Sequence, residues 1–415
     1  MKKALSIIAL AAIMILPANA QSTPQGFRGP NRDGQFPESG LLKKWPDNGP
    51  QVLWENVDLG KGYSSATVVG DRIYVTGMTE DQKQETFMAL DKNGKILYTT
   101  AYGRPWKDSY PETRTSPTIH DGKAFVISGA GDVVCMDVKD GHIIWKVDGT
   151  ATYKSTTGNW CTAECPLVFD GKVIYTPGGN TTTMVALDEN TGKEVWKSRS
   201  PREARGYVSP TLIEWKGKKQ IVGSTISTVI GVNPDNGEIM WTFNDWGRAG
   251  GENIPPNSAL FKDGKIFFSQ GYDIGGHMLQ LSDDMRSVKR IWKTDELDTH
   301  HGGYVLVNGV IYGSNWLNNN AGNWCAIDWE TGKTLYSTAW SGKGKGSIVY
   351  ADGLLYCYDE RRGTIGIVVP DGKQFKTISE VRVNKGSGPF WAHLSIYDGV
   401  MYARHGEALI AYKIK

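Results

Sequence analysis

A two-residue turn, usually Asp-Gly or a close relative, recurs along this chain at a period too long for one hairpin and too short for one domain. Its marker residues are Asp71, Gly122, Gly171, Gly217, Gly264, Gly309, Gly353 and Gly399, spaced 44 to 51 residues apart. Each sits between two short apolar runs, as in "SPTIHDGKAFVIS", the pattern of a hairpin whose turn needs left-handed backbone. A second hairpin follows, closed by "ENTG" or "KDG". An aromatic stands four positions past its glycine: Tyr98, Trp145, Trp196, Trp241 and Tyr336. A four-stranded unit cannot bury both faces by itself, but units arranged radially bury them against one another. The spacing therefore predicts an all-β fold, an eight-bladed β-propeller of four-stranded antiparallel blades, with the outer aromatics packed between neighbours. The last unit ends at "HGEALIAYKIK" without an outer strand, while "PQVLWENVD" supplies an unassigned strand with Trp54. An N-terminal strand is thus expected to complete the last blade and close the ring.

Residues 1–20 read as a secretory signal peptide: Lys2 and Lys3, an apolar core from Ala4 to Leu16, then Ala18-Asn19-Ala20 as a small-x-small cleavage site. No cysteine follows the cut, so the expectation is a soluble periplasmic or secreted protein and not a lipoprotein. Residues 21–50 read as an extended segment packing on the propeller, and 51–415 as one propeller domain. Setting aside Lys2 and Lys3, 44 basic side chains face 44 acidic ones, which gives no reason to expect nucleic acid or membrane insertion. Five cysteines are too few for a disulfide scaffold. Cys135, Cys325 and Cys357 read as buried strand residues, and pairing of Cys161 with Cys165 requires a sharp turn between them.

The "ALD..TGK..W" repeat, the count of eight and the opening "FRGPNRDG" at residues 27–34 resemble the PQQ-like, or quinoprotein alcohol dehydrogenase-like, propeller superfamily. That resemblance implies one of two roles: a PQQ- and calcium-dependent dehydrogenase, or a BamB-like scaffold with an envelope protein partner. The dehydrogenases carry adjacent cysteines and a glutamate calcium ligand in a "GGE"-like loop. Here there is no Cys-Cys pair and the comparable stretch reads "GGNTTT", so PQQ with calcium is disfavoured.

The first strand of each unit should lie nearest the axis, so the residues leading into those strands should meet at one mouth. Six positions before each first turn stand Ser65, Ser116, Cys165, Ser258, Gly303, Ser347 and His393, with Ser209 as the equivalent in unit four. Small residues suit such crowding. Two positions earlier stand Tyr63, Arg114, Ala163, Tyr207, Pro256, His301, Lys345 and Trp391. Polar groups among aromatic walls over a concavity are the pattern of a small-molecule site. Arg114 and Lys345 suit an anionic or richly hydroxylated ligand, and Tyr63, Tyr207 and Trp391 offer faces on which sugar rings or planar cofactors stack. His301 is the candidate general acid or base, assisted by Tyr207. In "THHGGYV", His300 is expected to point away unless the loop bends sharply, while Gly302 and Gly303 remove bulk.

Loops between second and third strands add Tyr272, Asp273 and His277, Asn315 and Trp316, and "YDERRG", which reads as a solvated turn. Trp160 and Glu164 come from "NWCTAEC", with Glu164 either lining the mouth or bracing a strand; Asn253 and Asn257 read as turn makers. No paired ligand spacing indicates a metal. The leading expectation is a saccharide or sugar acid held in a central funnel, with the dehydrogenase and the scaffold as alternatives.

Overall fold

The computed structural model describes residues 23–156, 158–247, 253–340 and 342–415. The signal-peptide reading of residues 1–20 lies outside them. Eight antiparallel sheets of four strands follow in chain order, each with its first strand innermost. Blade 1 comprises Thr67–Val69, Arg72–Met78, Glu85–Asp91 and Ile96–Gly103. Blade 5 begins at Leu260–Lys262, blade 6 at Tyr304–Val307 and blade 7 at Gly346–Ala351. Blade 8 takes Ser395–Tyr397, Val400–His405 and Ala408–Lys413 from the C-terminus and Gln51–Asn56 as its outer strand, antiparallel to Ala408–Lys413. The ring is therefore closed by the N-terminal strand, as the repeat pattern predicts.

The recurring turn has the expected geometry. In seven blades both central residues are left-handed, as at Asp121 and Gly122 (φ 43° and 73°) and Asn308 and Gly309 (50° and 79°). This backbone matches the twist of the flanking strands and explains the Asp-Gly preference.

The outer aromatics join blades in a more specific way than packing alone. Trp145 donates from Nε1 to the Glu189 carbonyl (3.0 Å), Trp196 to Pro234 (2.9 Å) and Trp54 to Lys92 (2.7 Å). Each ring lies on the glycine of the next blade's second hairpin. A Cβ at Gly192 would stand 2.8 Å from the Trp145 ring, and one at Gly94 would stand 2.4 Å from Trp54. The "TG" of the repeat is required by the preceding blade's aromatic. Cys135, Cys325 and Cys357 are buried as expected, and all five cysteines, Cys161 and Cys165 included, are free thiols.

The axis is not open. Residues 25–36 run along it, with Gln25 bonded to Ile119 in blade 2 and Gln35–Phe36 parallel to the inner strand of blade 7. Arg32 donates to the carbonyls of Cys165 (2.9 Å) and Pro210 (3.3 Å) and also to Pro166. Arg28 donates to Tyr304 O (2.5 Å) and Ile348 O (3.1 Å). Where the inner strands lack a backbone partner on that side, these guanidiniums satisfy carbonyls that would otherwise be buried unpaired. The void left beside Phe27, Arg28, Arg32, His301 and His393 is about 10 Å³, room for about one water. The expectation of a ligand held in an open central funnel is thereby corrected: two arginines of "FRGPNRDG" fill the axis.

Candidate functional site

Above the plug, the small residues at the strand starts stitch the blades together. Ser65 N–H donates to Ser116 Oγ (2.8 Å), Ser116 N–H to Cys165 Sγ (3.2 Å) and Cys165 N–H to Ser209 Oγ (3.0 Å). Ser347 Oγ reaches Ala392 O (3.2 Å), and Ser65 Oγ reaches His393 O (2.9 Å) across the closure. This seam holds the lead-in loops at fixed spacing, so the side chains two positions earlier converge.

They converge as a band of rings. Trp391 contacts Tyr63 (centroids 5.1 Å), Tyr110 (4.7 Å) and His301 (5.3 Å). Tyr110 reaches Trp160 at 6.2 Å. From His301 the band passes to His300 (4.5 Å), then Tyr272 (5.1 Å), then Trp316 (4.8 Å). Residues from six blades thus form one continuous surface, with Trp391 and Trp316 half-buried and Tyr110 exposed.

The double histidine is bent into this band by Asn257. Its Nδ2 donates to the carbonyls of Ser269, Thr299 and His300 (3.1, 3.0 and 2.7 Å), and its Oδ1 accepts from Gly303 N–H (3.1 Å). Sequence gives Asn257 as a turn maker; it is the clamp that brings both imidazoles to one side. A Cβ at Gly302 would lie 1.9 Å from Gly346 O, and one at Gly303 2.3 Å from Arg28 Nη1. Those two glycines admit the blade 7 strand and the plug.

Beneath the band lies a carboxylate. Glu360, in the loop after the second strand of blade 7, is only 6% exposed at its side chain; Oε2 stands 3.2 Å from His301 Nε2, and Oε1 meets the ammonium of Lys345. Burial pushes its carboxyl up, but His301 and Lys345 outweigh that and hold it below the usual carboxylate range. Burial drives the His300 pKa well below its ordinary value, with His301 and Lys345 adding to the shift, so His300 is neutral. The solvated-turn reading of "YDERRG" is corrected here for Glu360. A lysine buried to 2% exposure in the neighbouring slot demands a counter-charge, and that demand was the available signal.

Other expected site residues stand elsewhere. Arg114 extends to the carbonyls of Ser109 and Tyr110 (2.9 and 2.8 Å), and also to Trp160 O and Cys161 Sγ, so it braces loops. Lys345 donates to Asn319 O (2.9 Å) as well as to Glu360. Tyr207 is buried, and its OH accepts from the Trp160 backbone N–H (3.3 Å). Glu164 takes the bracing role: it accepts the Thr176 N–H (3.0 Å), and burial raises its carboxyl to about 8. His393 faces downward, onto Arg28 and the His301 carbonyl. His277 stacks on Phe268 (5.5 Å) inside its blade.

The same geometry bears on a quinone cofactor. A planar tricarboxylate needs an open slot between flat walls and free cations. Trp391 is hemmed in by Tyr63, Tyr110 and His301 at tilted or edge-on angles, both candidate cations have internal acceptors, and the axis below is filled. The "GGNTTT" stretch pairs Gly178–Gly179 with Glu203–Ala204, backbone to backbone. These residues do not fit PQQ with calcium.

Comparison with known proteins agrees on the architecture. A family model described as outer membrane protein assembly factor BamB matches residues 103–320, just over half of the chain. The quinoprotein ethanol dehydrogenase of Pseudomonas aeruginosa is 24% identical over 207 residues, 46% of this chain and 32% of that protein. The chain thus spans about a third of that relative's length. Among solved structures, BamB from Moraxella catarrhalis superposes with a TM-score of 0.57 at 15% identity, covering 84% of this chain and 99% of that one. The quinohemoprotein alcohol dehydrogenase from Comamonas testosteroni gives 0.65 at 12%, covering 92% and 79%. Repeat, ring and family model converge: the chain belongs to the PQQ-like β-propeller family that the BamB model describes.

Proposed function

We propose that this protein binds a neutral saccharide on the aromatic band across its mouth, as an exported binding module. One observation supports this reading above others: seven rings from Trp160 to Trp316 follow one another at centroid separations of 4.5 to 6.2 Å, with faces left partly open. Sugar rings stack on such faces, and a buried Lys345–Glu360 pair beneath them leaves little net charge to attract an acid. The ligand is therefore expected to be neutral rather than a sugar acid.

The test is calorimetry and tryptophan fluorescence with a panel of neutral and uronic oligosaccharides. Neutral sugars should bind, with Trp391→Ala and Trp316→Ala each weakening affinity about tenfold, the equivalent of ~1.4 kcal/mol. A panel in which nothing binds, or in which both variants bind like the parent, refutes the reading.

A second reading is favoured by the family model itself: the same surface docks an envelope protein partner. Tyr110 within the band and Leu317 next to its Trp316 end are exposed. Crosslinking from residue 317 in envelope extract, competed by the sugar panel, separates the two.

A further inference from the structure

We propose that His300, His301 and Glu360 form a divalent transition-metal site of zinc type, with an open coordination position facing the mouth. This goes beyond saccharide binding and does not depend on it. One ligand atom from each residue lies within 4.8 Å of the other two. Metal–ligand bonds of about 2.0–2.1 Å put tetrahedral ligand atoms about 3.3 Å apart. The His301 Nε2 to Glu360 Oε2 distance of 3.2 Å already meets that spacing.

Two further observations point to a ligand. His300 Nδ1 is buried and has no hydrogen-bond partner among the described residues, while His301 Nε2 faces Glu360 Oε2 at 3.2 Å. A buried imidazole nitrogen left unpaired beside a carboxylate is costly unless something occupies the space next to it. The outer contacts are also arranged for a metal. Binding through His300 Nδ1 leaves its Nε2 for the Tyr272 hydroxyl at 3.0 Å. Two nitrogens and one oxygen with a free position make the donor set of an open zinc site.

The second cluster of this type, His120, Asp121 and Glu189, is a different case. His120 Nδ1 already lies 2.8 Å from Glu189, and Lys123 is 3.7 Å from the same oxygen, so the carboxylate is satisfied. It serves as the internal control.

The experiment uses the mature protein after chelator dialysis, titrated with Zn2+ by calorimetry and with Co2+ by visible absorption. One equivalent should bind, with the intense ligand-field bands of tetrahedral cobalt. Tyr272→Phe should weaken binding about tenfold; His301→Gln and Glu360→Gln should weaken it further and remove the cobalt bands. Lys345→Met should tighten it by removing a competing cation, an outcome that misfolding cannot mimic. His120→Gln should bind as the parent does. Absence of stoichiometric binding overturns the proposal, as does binding lost in His120→Gln but kept in His301→Gln.

Discussion

The Arg28 guanidinium lies 2.9 Å from Nδ1 of His393, and the opposite ring nitrogen lies 2.9 Å from the His301 carbonyl. Arginine only donates and a carbonyl only accepts, so His393 must carry its proton on Nε2 and be neutral. One imidazole thus links the axial plug to the backbone of the candidate site. Burial, and after it the charge of Arg28, depress its pKa well below the ordinary value.

This fixes the sign of a pH effect. A histidine depressed in the folded state contributes stability above its unfolded pKa of about 6.5, and that contribution is lost as pH falls toward the folded value. Unfolding in urea should show parent stability falling below about pH 6.5 relative to His393→Gln, whose amide can accept from Arg28 and donate to the carbonyl. The difference in slope should approach ~1.4 kcal/mol per pH unit. Parallel curves would show that His393 does not stay neutral.

The plug itself should be worth more than any one surface contact. Replacing Arg28 by Met removes donors from the Tyr304 and Ile348 carbonyls and from His393. Buried hydrogen bonds to a charged group contribute about 1.5–3 kcal/mol each. A loss of at least ~3 kcal/mol is expected by denaturant titration. Loss below ~1 kcal/mol would mean that the axial carbonyls find water instead.

Most of the ring was legible because its signals are local. Asp-Gly turns, alternating strands and outer aromatics report on neighbours a few residues away, and the missing strand at the C-terminus was visible as a deficit. The plug was not legible. Arg28 and Arg32 bond to backbone carbonyls more than a hundred residues away, and a carbonyl has no residue identity for a sequence to reveal. At the mouth, position could be read but partnership could not. Tyr63, His301, Lys345 and Trp391 were placed by counting back from each turn, whereas Glu360 hid in a charge run and Asn257 in a loop. Sequence position puts Arg114 at the mouth and leaves Glu164 between the mouth and a strand; Arg114 instead finds carbonyl acceptors on adjacent loops, and Glu164 accepts from Thr176.

The "TG" of the second hairpin supplies a paired test. Gly192 and Gly171 are both left-handed, at φ 68°, but a Cβ at Gly171 meets nothing within 4 Å while one at Gly192 meets Trp145. Gly171→Ala should cost about 1–2 kcal/mol from backbone strain alone. Gly192→Ala should cost a further ~1–3 kcal/mol for overpacking. Equal melting shifts would mean that the tryptophan ring moves aside freely.

Ring closure can be tested at its single non-sequential joint. Gln51–Asn56 pairs with Ala408–Lys413, and Trp54 rests on Gly94 of blade 1 while donating to Lys92 O. Deleting residues 51–58 bares the Ala408–Lys413 strand and leaves Gly94 uncovered. An unpaired strand beside an apolar face is a template for pairing with another molecule. The deletion should therefore elute as dimers or aggregates in size exclusion, and an added peptide of residues 49–58 should return it to monomer. Trp54→Ala keeps the backbone pairing and removes only the inter-blade contact, so it should stay monomeric with a lower melting temperature. A deletion protein that runs as a stable monomer would mean that blade 8 stands without its outer strand, and that closure lies in the axial plug instead.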